Sequence, residues 1–166
     1  MSIGPGYVRM MAAYNAEMNR RLYAAAGRLT EAERQRDRGA FWGSVQGTLA
    51  HLLWGDVQWM SRFDGWEKNT RPLGESAADG RGFEELRAAR AAADARIAEW
   101  AGRVSQAWLD GELVWWSGAA GRELRRPLAV LVPHFFNHQT HHRGQVHAML
   151  TASGEQTGDT DLMLLA

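Results

Sequence analysis

The chain has 166 residues, and its 45% of apolar residues is enough to fill one core, so we expect one domain over residues 1–166. Its 19 Lys and Arg balance its 19 Asp and Glu, which argues against a nucleic-acid-binding protein because such proteins need a basic face. The absence of cysteine excludes disulfides and thiolate metal sites, so any metal must be held by His, Asp or Glu.

The sequence has no segment typical of targeting or membrane insertion. The N-terminal residues lack a basic stretch followed by an apolar run, and no stretch reaches about 18 uninterrupted apolar residues. We therefore expect a cytoplasmic protein that does not enter a membrane.

Two long helices are predicted in the N-terminal half. Apolar residues at helical spacing predict the first helix from Tyr7 to about Arg28. A polar stretch follows, in which Thr30 and Glu33 have the spacing of a capping box. The second helix is predicted from about Gly43 to Phe63, and His51 lies in its middle beside an apolar stripe.

The segments that follow predict a long connection, a helix and a hairpin. Residues 64–82 contain four glycines and a proline and predict an irregular connection. A third helix is predicted from Phe83 to about Val104, because this segment is rich in the good helix formers Ala, Arg and Glu. The short segments 113–116 and 122–125 indicate a small hairpin.

A fourth helix is predicted from Pro127 to about Ala152. Proline suits the first turn of a helix, where its missing donor costs nothing. Pro133 lies inside this range, so a kink and a later start near residue 132 are both open. Four helices with a long crossover between the second and third predict an all-α four-helix bundle. We expect the C-terminal segment Thr157–Ala166 to pack on the bundle or on a partner.

Five of the six histidines lie within 14 residues of the fourth predicted helix. Because each helical residue advances about 100°, His134, His138, His141 and His142 share roughly a quarter of the circumference, whereas His147 faces away. Imidazoles one turn apart can bind a single ion, and neutral imidazole suits Zn, Ni, Cu or Fe. The spacing does not choose between the pairs His134/His138, His138/His142 and His138/His141.

The sixth histidine, His51, lies on the second predicted helix. On its own it is interpreted as a hydrogen-bonded core residue, because an unpaired imidazole beside an apolar stripe is costly. Together with the cluster on the fourth helix it becomes the natural third ligand. Structural zinc sites normally have four protein ligands, so three histidines predict a site with an open position. Three imidazoles suit Zn and Ni equally.

Several segments resemble motifs of the DinB family. Residues 137–145 (Asn-His-Gln-Thr-His-His-Arg-Gly-Gln) resemble the family signature, and residues 49–56 with Trp59 resemble its second-helix motif. Residues 14–15 (Tyr-Asn) and 159–162 (Asp-Thr-Asp-Leu) also fit. The resemblance extends over nearly the whole chain.

The resemblance implies a bundle with up-down-down-up helix order and a histidine triad that binds a divalent metal. The positions of the family's three ligand histidines correspond to His51, His138 and His142 in this sequence. Members of the family often form homodimers, which the apolar C-terminal segment also favours here. The wider superfamily includes metal-dependent thiol transferases and a mycothiol-dependent isomerase.

Several residues near the triad are expected to support it. Arg143 is expected to pair with Asp56 across the bundle. Asn137 and Gln145 either hydrogen-bond a ligand histidine and fix its tautomer or serve only in capping and packing. His141 is expected at the flank of the site, partly exposed.

The function expected from these features is that of a metal-dependent transferase, isomerase or hydrolase acting on a small molecule. The lack of cysteine means that any thiol must come from a low-molecular-weight cosubstrate. The alternatives are a non-catalytic metal-binding or stress-response protein and an interaction module. Candidate general bases, by position only, are Glu67, Glu75 and Glu112. Candidate pocket or core aromatic residues are Trp54, Trp59, Trp66, Trp115 and Trp116.

Overall fold

The structure is a computed structural model that describes residues 3–118 and 120–164. It is mostly helical, with one small antiparallel sheet of two strands. The elements in chain order are α1 (Pro5–Ala26), α2 (Glu31–Gln35), α3 (Val45–Phe63), α4 (Phe83–Arg103), α5 (Gln106–Leu109), β1 (Glu112–Ser117), β2 (Arg122–Pro127) and α6 (Leu128–Thr151). The bounds of the four long helices agree with the predicted ones to within two residues.

The helix starts follow from local capping chemistry. The hydroxyl of Ser44 accepts a hydrogen bond from the backbone N–H of Gly47 and begins α3. Thr30 and Glu33 form the predicted capping box, with each side chain bonded to the other residue's backbone N–H. This box begins α2, a short helix that the sequence pattern did not predict.

Helix α6 begins at Leu128 and continues through Pro133 without interruption. The alternative of a later start near residue 132 is therefore wrong. Pro127 precedes the first helical residue, where its fixed φ of −59° leads the chain from β2 into the helix. The missing N–H of Pro133 removes only one hydrogen bond, which the many buried residues of this helix offset.

The four long helices pack on one another around one apolar core. Helices α1 and α3 each contact both α4 and α6. At one end of the core Phe63 of α3 stacks on Trp100 of α4, with ring centroids 5.7 Å apart, and meets Phe135 of α6 edge-on. Fully burying one such side chain contributes about 1.5–3 kcal/mol, so these aromatic contacts help to hold α3 against α4 and α6.

The predicted hairpin is present as β1 and β2, which pair from Glu112 with Pro127 to Ser117 with Arg122. Alternate side chains of β1 face the bundle. Trp115 packs on Trp59 at a centroid distance of 6.0 Å, whereas Trp116 is 69% exposed.

The C-terminal segment packs back on α1 over its described part, residues 157–164. The hydroxyl of Tyr14 donates to the carbonyl of Thr160 at 2.6 Å, and Arg21 donates to the carbonyl of Asp159. Leu165 and Ala166, the last residues of the predicted segment, lie outside the described residues. Among the helices that the structure describes, none combines the length and apolar character needed to cross a membrane.

Candidate metal centre

Helices α3 and α6 bring three histidines together. His51 comes from α3, and His138 and His142 come from α6, one turn apart. The two helices approach closely here because Gly55 has no side chain. A Cβ atom at Gly55 would lie 2.9 Å from Cε1 of His138, so any larger residue would displace that ring.

The three rings form one cluster, which we call the histidine cluster. One nitrogen of each ring lies within 4.8 Å of the others, and Nε2 of His51 is 3.3 Å from Nε2 of His138. His51 and His142 are buried, and His138 is half-buried. Of the three pairs that the spacing left open, His138 and His142 are the pair that lies together with His51 in this cluster.

The distances fit a shared divalent ion. Two Zn–N bonds of about 2.0–2.1 Å at a tetrahedral angle place the nitrogens roughly 3.3–3.4 Å apart. The observed separation of 3.3 Å between the two Nε2 atoms falls in that range. An imidazole-only donor set suits a borderline ion such as Zn or Ni. The histidine cluster is thus compatible with a metal site.

Two of the three rings have their outer nitrogen fixed by a hydrogen bond. Nδ1 of His142 donates to Oε1 of Gln145 at 2.8 Å, which leaves the Nε2 lone pair free for an ion. Nδ1 of His51 is 2.8 Å from the hydroxyl of Ser76. Of the two roles predicted for Gln145, the structure therefore shows the hydrogen bond to a histidine of the cluster. Asn137 is exposed and, within residues 3–118 and 120–164, bonds to no ring of the histidine cluster.

Burial keeps the three imidazoles neutral at pH 7. Burial, with smaller effects from His142 and His138, lowers the pKa of His51 to about 3. Burial and the neighbouring histidines lower the pKa of His138 to about 4. Burial also lowers the pKa of His142, although its bond to Gln145 opposes this shift. The neutral ring is the form that binds metal, so the site needs no deprotonation.

Two residues that the sequence did not single out complete the surroundings of His51. The indole of Trp42 stacks on the His51 ring, with centroids 4.0 Å apart and planes inclined by 22°. Ser76 is fully buried in the connection between α3 and α4. Both residues lie in irregular segments, where no periodic pattern indicates which side chains turn inward.

The other three histidines lie outside the cluster. His141 is exposed beside His142, as expected for a residue at the flank. His134 is exposed, and its ring is 5.2 Å from that of Trp59 and 6.4 Å from that of His138. His147 faces away and its Nδ1 lies 2.8 Å from the hydroxyl of Thr157.

The candidate general bases do not join the histidine cluster. Glu112 is paired with Arg125 on the hairpin, and Glu75 is exposed. Glu67 lines a separate cavity of about 420 Å³ between α3, α4 and the connection, together with Trp54 and Trp66. Among the described residues, the group of potential ligand atoms consists of the three histidines and contains no carboxylate.

A buried polar network crosses the core directly below the site. Asp56, next to Gly55, accepts from Arg90 at 2.5 Å and from Gln139 at 2.8 Å. The predicted pair of Arg143 and Asp56 is therefore wrong. Both oxygens of Asp56 are already bonded to other donors. Arg143 lies on the side of α6 that faces α1, where it donates to Asn15.

One comparison with known proteins identifies a family for this chain. The model of the DinB family matches residues 5–166. Neither a search of curated proteins nor a search of solved structures found a significant match. Because the family model matches essentially the whole chain, the protein belongs to the DinB family.

Proposed function

We propose that the histidine cluster holds one divalent ion, zinc or nickel, and that the protein uses it as a thiol-dependent transferase or isomerase on a small molecule. The observation that supports this proposal is the geometry of His51, His138 and His142. Their ring nitrogens converge within 4.8 Å, and no fourth protein ligand joins them in the described part of the chain. A site with three protein ligands leaves a position for a water or a substrate.

When bound, such an ion lowers the pKa of a coordinated water or thiol and so supplies a nucleophile at neutral pH. The protein's own residues orient and shield the site. Gln145 and Ser76 fix the rings of His142 and His51 from outside. Trp42 covers one face of His51 and excludes water from it.

We infer the up-down-down-up helix order from the contacts between helix ends. The end of α1 meets the start of α4 through Tyr23 and Phe83, which supports an antiparallel pair. The ends of α3 and α4 meet through Phe63 and Trp100, which supports a parallel pair.

We also infer a homodimer, which the exposure of Met163 in the apolar C-terminal segment supports. Light scattering at micromolar concentration should give the mass of two chains. The mass of a single chain would contradict this inference.

The competing function is a structural ion that holds the helices together. One observation argues against it: the ligands come from only two helices, α3 and α6. These helices are also joined by Phe63 with Phe135 and by Asp56 with Gln139. An ion is therefore not needed to pair them.

A thermal melt with and without chelator separates the two functions. The catalytic proposal predicts that chelated protein keeps its helical circular dichroism and a cooperative transition, while it loses turnover of electrophiles with added low-molecular-weight thiols. A structural ion predicts that chelation abolishes the cooperative transition, because metal-binding free energy is then folding free energy.

A further inference from the structure

Arg62, in the last turn of α3, is a half-buried cation two helical turns after Gly55 on the same helix. Its guanidinium carbon lies 4.8 Å from the ring centroid of Trp59 and 5.9 Å from that of Trp115. Within residues 3–118 and 120–164 it forms no ion pair with a carboxylate and no hydrogen bond. Nearby arginines differ: Arg103 pairs with Asp64, and Arg125 pairs with Glu112.

The partial burial of this cation costs free energy that no ion pair within the described residues offsets. Burial alone lowers the pKa of Arg62, and no acidic group opposes the shift. Stacking on the tryptophans offsets part of the cost of removing water from the charge. Stacking covers only the face of the planar guanidinium, so the N–H donors along its edge stay free. Two of these donors can bind the two oxygens of a carboxylate at once.

The position of Arg62 relates it to the histidine cluster. Trp59 contacts both Arg62 and His134, and the His134 ring is 6.4 Å from that of His138. Gly55, which packs against His138, precedes Arg62 by seven residues on α3. Seven helical residues span about 10 Å, which is the scale of a small molecule.

We propose that Arg62 binds the carboxylate of an anionic small molecule whose other end reaches the histidine cluster. This inference rests on the proposed function and adds the substrate class, a small molecule with a carboxylate about 10 Å from its reacting atom. Trp59 and Trp115 form the walls that hold the guanidinium in place.

Two thiols of equal chain length test the inference on zinc-loaded protein. Both 6-mercaptohexanoate and 6-mercaptohexan-1-ol offer sulfur, a good zinc ligand, but only the first carries a carboxylate. Titration calorimetry should give a dissociation constant about 10-fold or more lower for the carboxylate, as expected for a charge-assisted hydrogen bond. Arg62→Met keeps the apolar stem on the tryptophans but removes the charge. This variant should bind the two thiols with about equal dissociation constants.

Arg96→Met is the matched control, because Arg96 stacks on Trp66 at 3.7 Å on another part of the surface. It should keep the wild-type preference, and Arg62→Lys should keep part of it. Equal binding of both thiols by the wild type, or an unchanged preference in Arg62→Met, would overturn the inference. All three variants should retain the wild-type zinc content. The protein could bind no zinc and still bind 6-mercaptohexanoate more tightly than 6-mercaptohexan-1-ol, with this preference lost in Arg62→Met. That result would overturn the proposed function and leave the role of Arg62 standing.

Discussion

At the scale of single residues, Gly55 decides whether the His138 ring occupies its place. A Cβ atom there would lie 2.9 Å from Cε1 of His138, closer than real side-chain contacts allow. We expect Gly55→Ala to displace the ring and to lower zinc affinity by about 10-fold or more, the scale of effects from misplaced metal ligands. The free energy of unfolding should fall little, because alanine favours the helix by about 1 kcal/mol over glycine.

The matched control for this variant is Gly144→Ala on α6, where a Cβ atom would meet nothing within 4 Å. Competition titrations with a chromophoric chelator measure both affinities. Equal zinc affinity in Gly55→Ala and the wild type would contradict the role of Gly55.

Ser76 is the second decisive residue, because its hydroxyl is the partner of Nδ1 of His51. Ser76→Ala removes this partner and leaves the ring free to reorient. We expect zinc affinity to fall by about 10–100-fold, which is typical of partners that orient a metal-binding histidine. Ser61→Ala is the control, since the Ser61 hydroxyl bonds only within its own helix, to the carbonyl of Gln58. The same chelator titration measures both, and similar affinities would show that Ser76 does not position His51.

At the scale of the helices, the buried network joins all four long elements. Arg90 of α4 donates a hydrogen bond to Asp56 of α3 and forms an ion pair with Asp94 of its own helix. Asp94 also accepts from Asn15 and Asn19 of α1. Gln139 of α6 completes the network through Asp56. The charge of Arg90 is therefore needed by two buried carboxylates at once.

Arg90→Leu should lower the free energy of unfolding by about 3–5 kcal/mol, because it leaves buried carboxylates without a counter-charge. Urea unfolding followed by circular dichroism measures this loss. Arg87→Leu, one turn earlier on the exposed side of α4, removes only an exposed pair with Glu84 and should change stability by less than about 0.5 kcal/mol. Similar losses in the two variants would argue against the network.

Periodic patterns predicted the long helices well, because each buries an apolar stripe against its neighbours. The capping box at Thr30 was also predicted, since its two partners lie three residues apart. Pairings between helices were not predictable in this way. Asp56 was expected to bind Arg143, but Arg90 on α4 is buried on the same side and bonds it instead. Arg90 lies four residues after Leu86 and three before Ala93, on the buried face of α4. Arginine is mostly exposed in proteins, so the helical spacing did not indicate that its charge is buried there.

At the scale of the whole molecule, neutral buried histidines make the stability of the metal-free protein depend on pH. The pKa is about 3 for His51 and about 4 for His138 in the folded protein, against about 6.5 in the unfolded chain. At pH values between the folded and the unfolded pKa of these histidines, the unfolded chain binds more protons than the folded protein. Stability is therefore fully present above pH 6.5 and is lost as the pH falls below it.

Urea unfolding of chelated protein between pH 7 and pH 5 measures this dependence. Each histidine that stays neutral adds a slope approaching about 1.4 kcal/mol per pH unit. His51→Gln should give a shallower slope than the wild type. Constant stability of the wild type over this range would contradict the account of the buried neutral rings.

Only part of the candidate site could be predicted from the sequence. The three histidines of the cluster lie on helices, so helical spacing and the position of His51 beside an apolar stripe indicated a cluster of histidines. The spacing left three pairs open on the fourth helix, and only the resemblance to the DinB family named His138 and His142. Trp42 and Ser76 come from irregular segments. Their contacts with His51 depend on how those segments fold over the helices, which the spacing of residues along the chain does not predict.

The central claim is that the histidine cluster holds one ion, and elemental mass spectrometry of tag-free protein tests it most directly. The wild type should contain about one equivalent of zinc or nickel, and His138→Ala should contain almost none. His147→Ala is the matched control, because that ring lies on the same helix and bonds Thr157 away from the cluster. It should keep the full metal content. A wild type without metal, even after incubation with zinc or nickel, would contradict the claim.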